Sequence, residues 1–417
     1  MKTFKNLTFA ACAVMSLSLA SCDKDDNVGG DASNASAPVA VQLPDGTRAI
    51  TESANDFSFR LFREYAVSGA SNVVISPLNV MSTLAMLANG DNGESRNEIL
   101  RVLGRETSDA DMNNLTAYCN SLFSQLPEVD RSTDLRFANS FWYSPGVTLD
   151  AAFTEILSGQ FSTEFINKPV GGTEGMSAVN DWVKSKTGGT MSQIIDKPLD
   201  ENTQAALLDA VYFKGMWREK FDRSLTTSAA FRNIDGSESD VMFMVREGEY
   251  SYTPLEDMRA ISLPYGNGNF KMTVILPEGG NDLRSLASSI SSRTIADLEE
   301  QASYATVSLY LPKFECSSNE DIMSYLQHLG VNRLFDASAG MNSIYSSGNF
   351  FAGMFRHSVS VKVDEDGSEG SASSVVPDGI ISPGYNAGEM KVDRPFMFVI
   401  SETTTNAIIF VGQITNL

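Results

Sequence analysis

An α+β fold with large mixed or antiparallel sheets is what the order of segments along this chain predicts: helical patterns come early, strand-like runs come late, and no repeating βαβ unit links them. The chain has 417 residues, 42% of them hydrophobic, so there is apolar material for one large core even though length alone would allow two or three domains. Neither an internal repeat nor a break in composition interrupts residues 45–417, which are read as one domain.

The first helix is predicted in "ESANDFSFRLFREYAV", where Phe57, Phe59, Leu61, Phe62, Tyr65 and Ala66 recur with roughly helical spacing. A second follows in "SPLNVMSTLAMLANG", with Ser76 as cap and Pro77 at the first helical position. A third, "EGMSAVNDWVKSKTGG", puts Val179, Trp182 and Val183 on one face and stops at Gly188 and Gly189. Strands are predicted in "QAALLDAVYFKGMW", "RAISLPY", "FKMTVILPE", "TVSLYLPKF", "HSVSVKVDE", "PFMFVIS" and "AIIFVGQI", which are rich in Val, Ile, Phe and Tyr and bounded by Gly, Pro and Asn.

Residues 1–22 read as a processing segment: Lys2 and Lys5 precede an apolar stretch too short to span a bilayer. It ends in "LASC", which resembles the bacterial lipoprotein signal whose cysteine, here Cys22, is acylated. The "DKDDN" that follows resembles the tag that sends some Gram-negative lipoproteins to the outer face of the outer membrane. An ordinary secreted protein with a chance cysteine is the alternative. Residues 23–44 hold almost no large apolar side chain and read as a flexible tether. Of the four cysteines only Cys119 and Cys316 belong to the domain; they show no metal or redox spacing and are expected as buried thiols, with a disulfide between them left open.

The net charge of −21 argues against nucleic acid and anionic membrane surfaces as partners, so contact with a membrane is expected only through lipid on Cys22. With two histidines, His328 and His357, and no zincin, nucleophile-elbow, Walker or dinucleotide motif, neither a metal site nor a cofactor is indicated. "YGNGNF" carries half of a dinucleotide pattern and reads as a turn between strands. Ser76, His357 and Asp209 could be assembled into a hydrolase triad, but each lies in an apolar run, where a buried polar group that fastens neighbouring elements is the commoner case.

The stretch "VDEDGSEGSASSVVPDGIISPG", Val363–Gly384, belongs neither to a core nor to a usual linker. Before it, His357, Val359, Val361 and Val363 alternate with Ser358, Ser360, Lys362 and Asp364, the pattern of a strand with one buried face. The alternation continues in miniature, Ser368, Gly370, Ala372, Ser374 and Val376 sharing a face. The segment therefore reads as a loop with a second, strand-inserted state; composition alone would make it a plain disordered loop.

Six motifs in order bear on this choice: "NVVISPLNVMSTLAML", "VNDWVKSKTGG", "VYFKGMW", "LPKF", "DRPFMFVI" and "IIFVGQI". Together they make residues from about 50 to 417 resemble the serpins, the serine protease inhibitors. The resemblance implies about nine helices and three β-sheets with an exposed reactive-centre loop, here about 365–392, and a monomer whose partners are serine proteases. In that family a protease cleaves the loop, is held as an acyl-enzyme, and is trapped when the loop inserts into the main sheet.

Residue by residue, the resemblance implies a hinge at Glu365, Gly367, Ser368, Glu369, Gly370 and Ala372, in which the residue after the glutamate is free to vary. The family places the scissile bond about fourteen residues beyond the hinge glycine, which gives Ile381 and Ser382, with Ile380 as the neighbouring alternative. A branched apolar residue there suits an elastase-like pocket, with subtilisin-like, chymotrypsin-like and cysteine proteases as further candidates; no Lys or Arg occurs between Val363 and Met390 to suit a trypsin-like one. Glu365, Lys313 and Trp217 match the breach at the top of the opening sheet. Ser76, Asn79, Asp209 and His357 match the shutter at its middle, where the family more often has Ser at the position of Asn79 and Asn at that of Asp209. An aspartate beside His357 is expected to make sheet opening sensitive to pH. Pro377, which lacks a ladder donor, and the extra length of the loop are departures that would slow insertion.

Overall fold

The computed structural model describes residues 37–67, 71–189, 191–280, 282–367 and 385–417. Among them run nine helices: α1 (Arg48–Val67), α2 (Pro77–Ala88), α3 (Glu94–Val102), α4 (Asp109–Gln125), α5 (Ala151–Gln160), α6 (Gly172–Lys186), α7 (Leu283–Ser289), α8 (Ser292–Glu300) and α9 (Met323–Leu329). The α2 segment is mostly apolar and is buried at every residue, including Asn79, Ser82 and Thr83, as befits a helix inside the core. Pro77 opens it as expected, but the Ser76 hydroxyl makes no cap hydrogen bond.

The main sheet has five strands in the order β10 (Phe314–Asp321), β11 (Arg356–Val363), β4 (Ala205–Gly215), β2 (Thr133–Tyr143) and β3 (Glu164–Asn167). A nine-stranded sheet holds β1 (Val73–Ile75), β14 (Ile408–Ile414), β13 (Phe396–Glu402), β8 (Phe270–Pro277), β7 (Met258–Tyr265), β6 (Glu238–Pro254), β9 (Ser303–Pro312) and β12 (Tyr385–Lys391), with β5 (Thr227–Arg232) on the flank of β6. The 17-residue β6 pairs with β7 through Ser251–Pro254 and with β9 through Phe243–Tyr252, so this sheet is two sheets sharing one long strand. With the main sheet they make three. The whole is α+β, with the helices and sheets that the order of segments along the sequence predicts.

The large core packs α1 and α2 against β13, β14 and the inner face of β4 and β11. A second, smaller core lies on the outer face, where Val179, Trp182 and Val183 of α6 meet Trp142, Leu208 and Ala210 of β2 and β4. That cover buries Ser358, which the simple alternation along β11 had placed on an open face: its hydroxyl lies 3.6 Å from Met191 Sδ. Residues 39–43, which composition assigns to the tether, are hydrogen-bonded to the body: Asn269 takes both the N–H and the C=O of Val39, and Thr404 Oγ1 accepts from Val41. Polar loop side chains anchor this segment, a signal that composition does not carry.

Candidate functional site

The candidate site is the seam between β4 and β11 in the middle of the main sheet. These strands run parallel and meet only at Val359 opposite Val211 and Ser360 opposite Tyr212. Their other neighbours are paired throughout, β2 along all of β4 and β10 along all of β11. Below the paired positions lies a cavity of about 270 Å³ lined by Leu207 and Leu208 of β4 and by Ala352 and Phe355 ahead of β11, among others. With two paired positions, against four between β2 and β3, eight between β10 and β11 and eleven between β2 and β4, the seam is the least paired line of the sheet.

At the head of the seam the chain leaves β11 and reverses in a two-residue turn. Asp364 N–H donates to Gly367 O at 2.8 Å and Gly367 N–H to Asp364 O at 3.2 Å, with Glu365 and Asp366 at the tip. Gly367 then bridges to Met216, just beyond β4. Its φ is +130°, and a Cβ there would lie 2.2 Å from the Gly215 carbonyl oxygen, so only glycine fits.

The three breach residues come together around this turn. Lys313 Nζ lies 2.8 Å from Glu365 Oε2, while the Thr226 hydroxyl donates to Oε1 at 2.8 Å. Partial burial alone would raise the Glu365 carboxyl, but the bonds from Lys313 and Thr226 hold it below its usual range. Trp217 stacks on Tyr265, ring centroids 4.4 Å apart, and its indole N–H donates to the Asp364 carbonyl at 2.9 Å.

The shutter residues also meet, beneath the paired positions. Ser76 N–H donates to His357 Nε2 at 3.0 Å, and the Thr83 hydroxyl donates to Asp209 Oδ2 at 2.6 Å. His357 Nδ1 and Asp209 Oδ1 face each other across the seam at 3.6 Å, both fully buried. A ring nitrogen that accepts from a backbone N–H carries no proton, so in the neutral ring the proton is on Nδ1, toward the aspartate. Asn79 is buried in α2 beside this group. The triad reading does not survive this geometry: the backbone of Ser76, not its hydroxyl, meets His357, and Ser76, His357 and Asp209 are all closed off from substrate.

Ser368, Glu369, Gly370, Ala372, Ile380, Ile381, Ser382 and Cys22 lie outside the described residues. Cys119 and Cys316 are free and buried, and burial pushes both thiols up to about 12, which leaves them unreactive. Among the described residues no helix is long and apolar enough to cross a membrane.

Residues 52–417 match the sequence profile described as Serpin (serine protease inhibitor). The chain belongs to the serpin family. Among curated serpin relatives, Iripin-3 of Ixodes ricinus is 28% identical over 375 residues, 88% of this chain and 95% of the relative. Intracellular coagulation inhibitor 2 of Tachypleus tridentatus is 29% identical over 371 residues, 87% and 90% of the two chains. Among solved structures, the thermophilic serpin tengpin in its native state superposes with a TM-score of 0.79 at 26% identity, covering 92% of this chain and 97% of tengpin. The activity of the family is protease inhibition, and this serpin is not an enzyme.

Four contributors to the site were not found from the sequence: Thr83, Thr226, Lys220 and Arg223. The last two hold Asp366, Lys220 Nζ at 3.1 Å from Oδ1 and the Arg223 guanidinium on Oδ2. The acid itself was visible next to Glu365; its cations stand more than a hundred residues away, with no periodicity to point to them.

Proposed function

We propose that this serpin is an irreversible suicide-substrate inhibitor of elastase-like serine proteases. The protease serine oxygen attacks the Ile381 carbonyl carbon, the Ile381–Ser382 peptide bond breaks, the amine of Ser382 leaves with a proton, and an ester joins Ile381 to the enzyme. Insertion of the freed loop into the main sheet then competes with hydrolysis of that ester. Ile380 is the alternative acyl residue.

The observation that carries the proposal is the seam: two parallel strands almost unpaired, with a turn already formed at their head. Continuing that turn as a strand would run it antiparallel to both β4 and β11, replacing the two parallel positions by full ladders on each side. From the rungs Asp364–Gly367 and Gly367–Met216 the register follows. Ser368 would lie between Val363 and Gly215, Ala372 between Val359 and Val211, and Ser374 between His357 and Asp209. The partners on that face are buried, which suits the small side chains of the loop. Glu369 would fall on the opposite face between Lys362 and Lys214, whose other neighbours are Glu315 and Asp134, making a row of alternating charge across the sheet. Strand addition by a serpin loop is an established way to release stored strain, and here it would give a sparsely paired seam a ladder on each side.

The leader and the residues after Cys22 support a lipid-anchored protein on the outer face of the outer membrane, with the tether read at 23–44 as spacer up to its first bond to the body at Val39. Loss of membrane association in Cys22→Ser would test this. The inhibitory reading is tested by melting the protein before and after cleavage within 368–384. A large upward shift is expected; an unchanged midpoint would favour a non-inhibitory binding protein on the same scaffold.

A further inference from the structure

Asp366 occupies the hinge position that the serpin pattern leaves free to vary, yet here it is held at both its side chain and its backbone. Its carboxylate is gripped by Lys220 and Arg223, and its side chain is only 15% exposed. Its N–H donates to Asp364 Oδ1 at 3.0 Å, and its carbonyl accepts from Trp217 N–H at 3.0 Å. The neighbouring Glu365 carbonyl accepts from Phe221 N–H at 3.1 Å. Trp217, Lys220, Phe221, Arg223 and Thr226 all belong to the one segment that follows β4, so this segment forms a cradle shaped to the two-residue tip.

The direction of the effect follows from which bonds insertion would break. The Asp364–Gly367 rung and the Gly367–Met216 bridge are also the first rungs of the strand that would grow between β11 and β4. Nothing in the cradle has to open for that strand to lengthen. Fixing the backbone of a turn costs conformational entropy before any ladder bond repays it, and here that cost is met in the folded protein before cleavage. An ion pair in open water would add little, but Lys220 is 18% exposed and the carboxylate is held by two cations, so the pair is partly shielded from solvent.

We infer that Asp366, held by Lys220 and Arg223, is a positioning residue that keeps the hinge turn formed as the nucleus of loop insertion. This rests on the inhibitory function proposed above. It differs from the Glu365–Lys313 pair in tying the tip to the end of β4 and not to the corner between β9 and β10.

The test uses the full chain and an elastase with which the wild type forms a covalent complex. A fluorophore on Ser373→Cys reports the insertion rate, since Cys119 and Cys316 are buried and Cys12 and Cys22 are replaced by serine in the labelled proteins. Asp366→Asn is expected to slow insertion about five-fold, the factor corresponding to ~1 kcal/mol. The moles of inhibitor consumed in excess of one per protease should rise by the same factor, with the rate of first cleavage unchanged. Lys220→Gln, which leaves the turn backbone intact, should act in the same direction. Asp366→Lys should be worse alone and partly rescued by Lys220→Glu with Arg223→Glu, which a merely structural aspartate would not allow. Unchanged insertion in Asp366→Asn and Lys220→Gln, in a wild type that traps the protease, would overturn the inference and leave the inhibitory function standing. A wild type that traps no protease would remove both.

Discussion

Replacing Gly367 by alanine should damage the hinge more than any other single methyl group added to it. The new Cβ would lie 2.2 Å from Gly215 O, 2.7 Å from Met216 Cα and 2.7 Å from Trp217 N, all backbone atoms that no rotamer change can move aside. The positive φ adds about 1–2 kcal/mol for a residue with a side chain, and displacing the packed backbone adds about 1–3 kcal/mol. The total is about 2–5 kcal/mol, concentrated on the rung from which insertion would start. If only ~1.4 kcal/mol of it falls on the insertion step, that step slows about ten-fold, and the variant is turned over as a substrate. Titration of an elastase of known active-site concentration reads the stoichiometry, and a thermal melt reads the native state. Gly353→Ala is the matched control, because its Cβ would meet nothing within 4 Å. A Gly367→Ala protein with the stoichiometry and melting midpoint of the wild type would refute the reasoning.

Reversing charge at Glu369 to lysine would set a third cation between Lys214 and Lys362 in the inserted register; insertion should slow by a few-fold, for a cost of about 1 kcal/mol, and equal rates would refute the register. The carboxyls of Glu365 and Asp366 lie below their usual range in the folded protein. Their stabilisation is therefore present above the unfolded carboxylate range near pH ~4 and is lost as pH falls through the depressed folded values. Melts from neutral to acid pH should show the wild type losing its advantage over Lys313→Ala, and parallel curves would contradict this. At the shutter the Asp209 carboxylate accepts from Thr83 and faces His357 Nδ1 across the seam at 3.6 Å, so its loss should change the rate at which the strands part. Asp209→Asn should therefore change the inhibition rate, and a rate equal to that of the wild type would exclude a gating role for the pair.

The elements legible in the sequence are those with strong period or punctuation. "RAISLPY" and "FKMTVILPE" became the hairpin β7–β8, and "YGNGNF" its turn, with Gly266 and Gly268 at positive φ. Among the strands missed, β10 reads "FECSSNED" and sits at the sheet edge, β6 mixes a short apolar run with charged residues over 17 positions, and β2, "TDLRFANSFWY", keeps no strict alternation of buried and exposed residues. Tertiary pairing decides such segments, and no local pattern reports it. At the site, Glu365, Lys313, Trp217, Ser76, Asp209 and His357 were found through motifs, and the structure brings each group together. The near-absence of pairing between β4 and β11 was out of reach, because the same residues would read as well-formed strands in any sheet.

Incubation of residues 23–417 with an elastase, a chymotrypsin-like protease and a trypsin-like protease, followed by denaturing electrophoresis and mass spectrometry, tests the trapping mechanism most directly. A covalent complex with the elastase, its acyl bond on Ile381, and none with the trypsin-like enzyme is the predicted result. Cleavage within 368–384 without a complex from any protease, and without a gain in thermal stability, would contradict it.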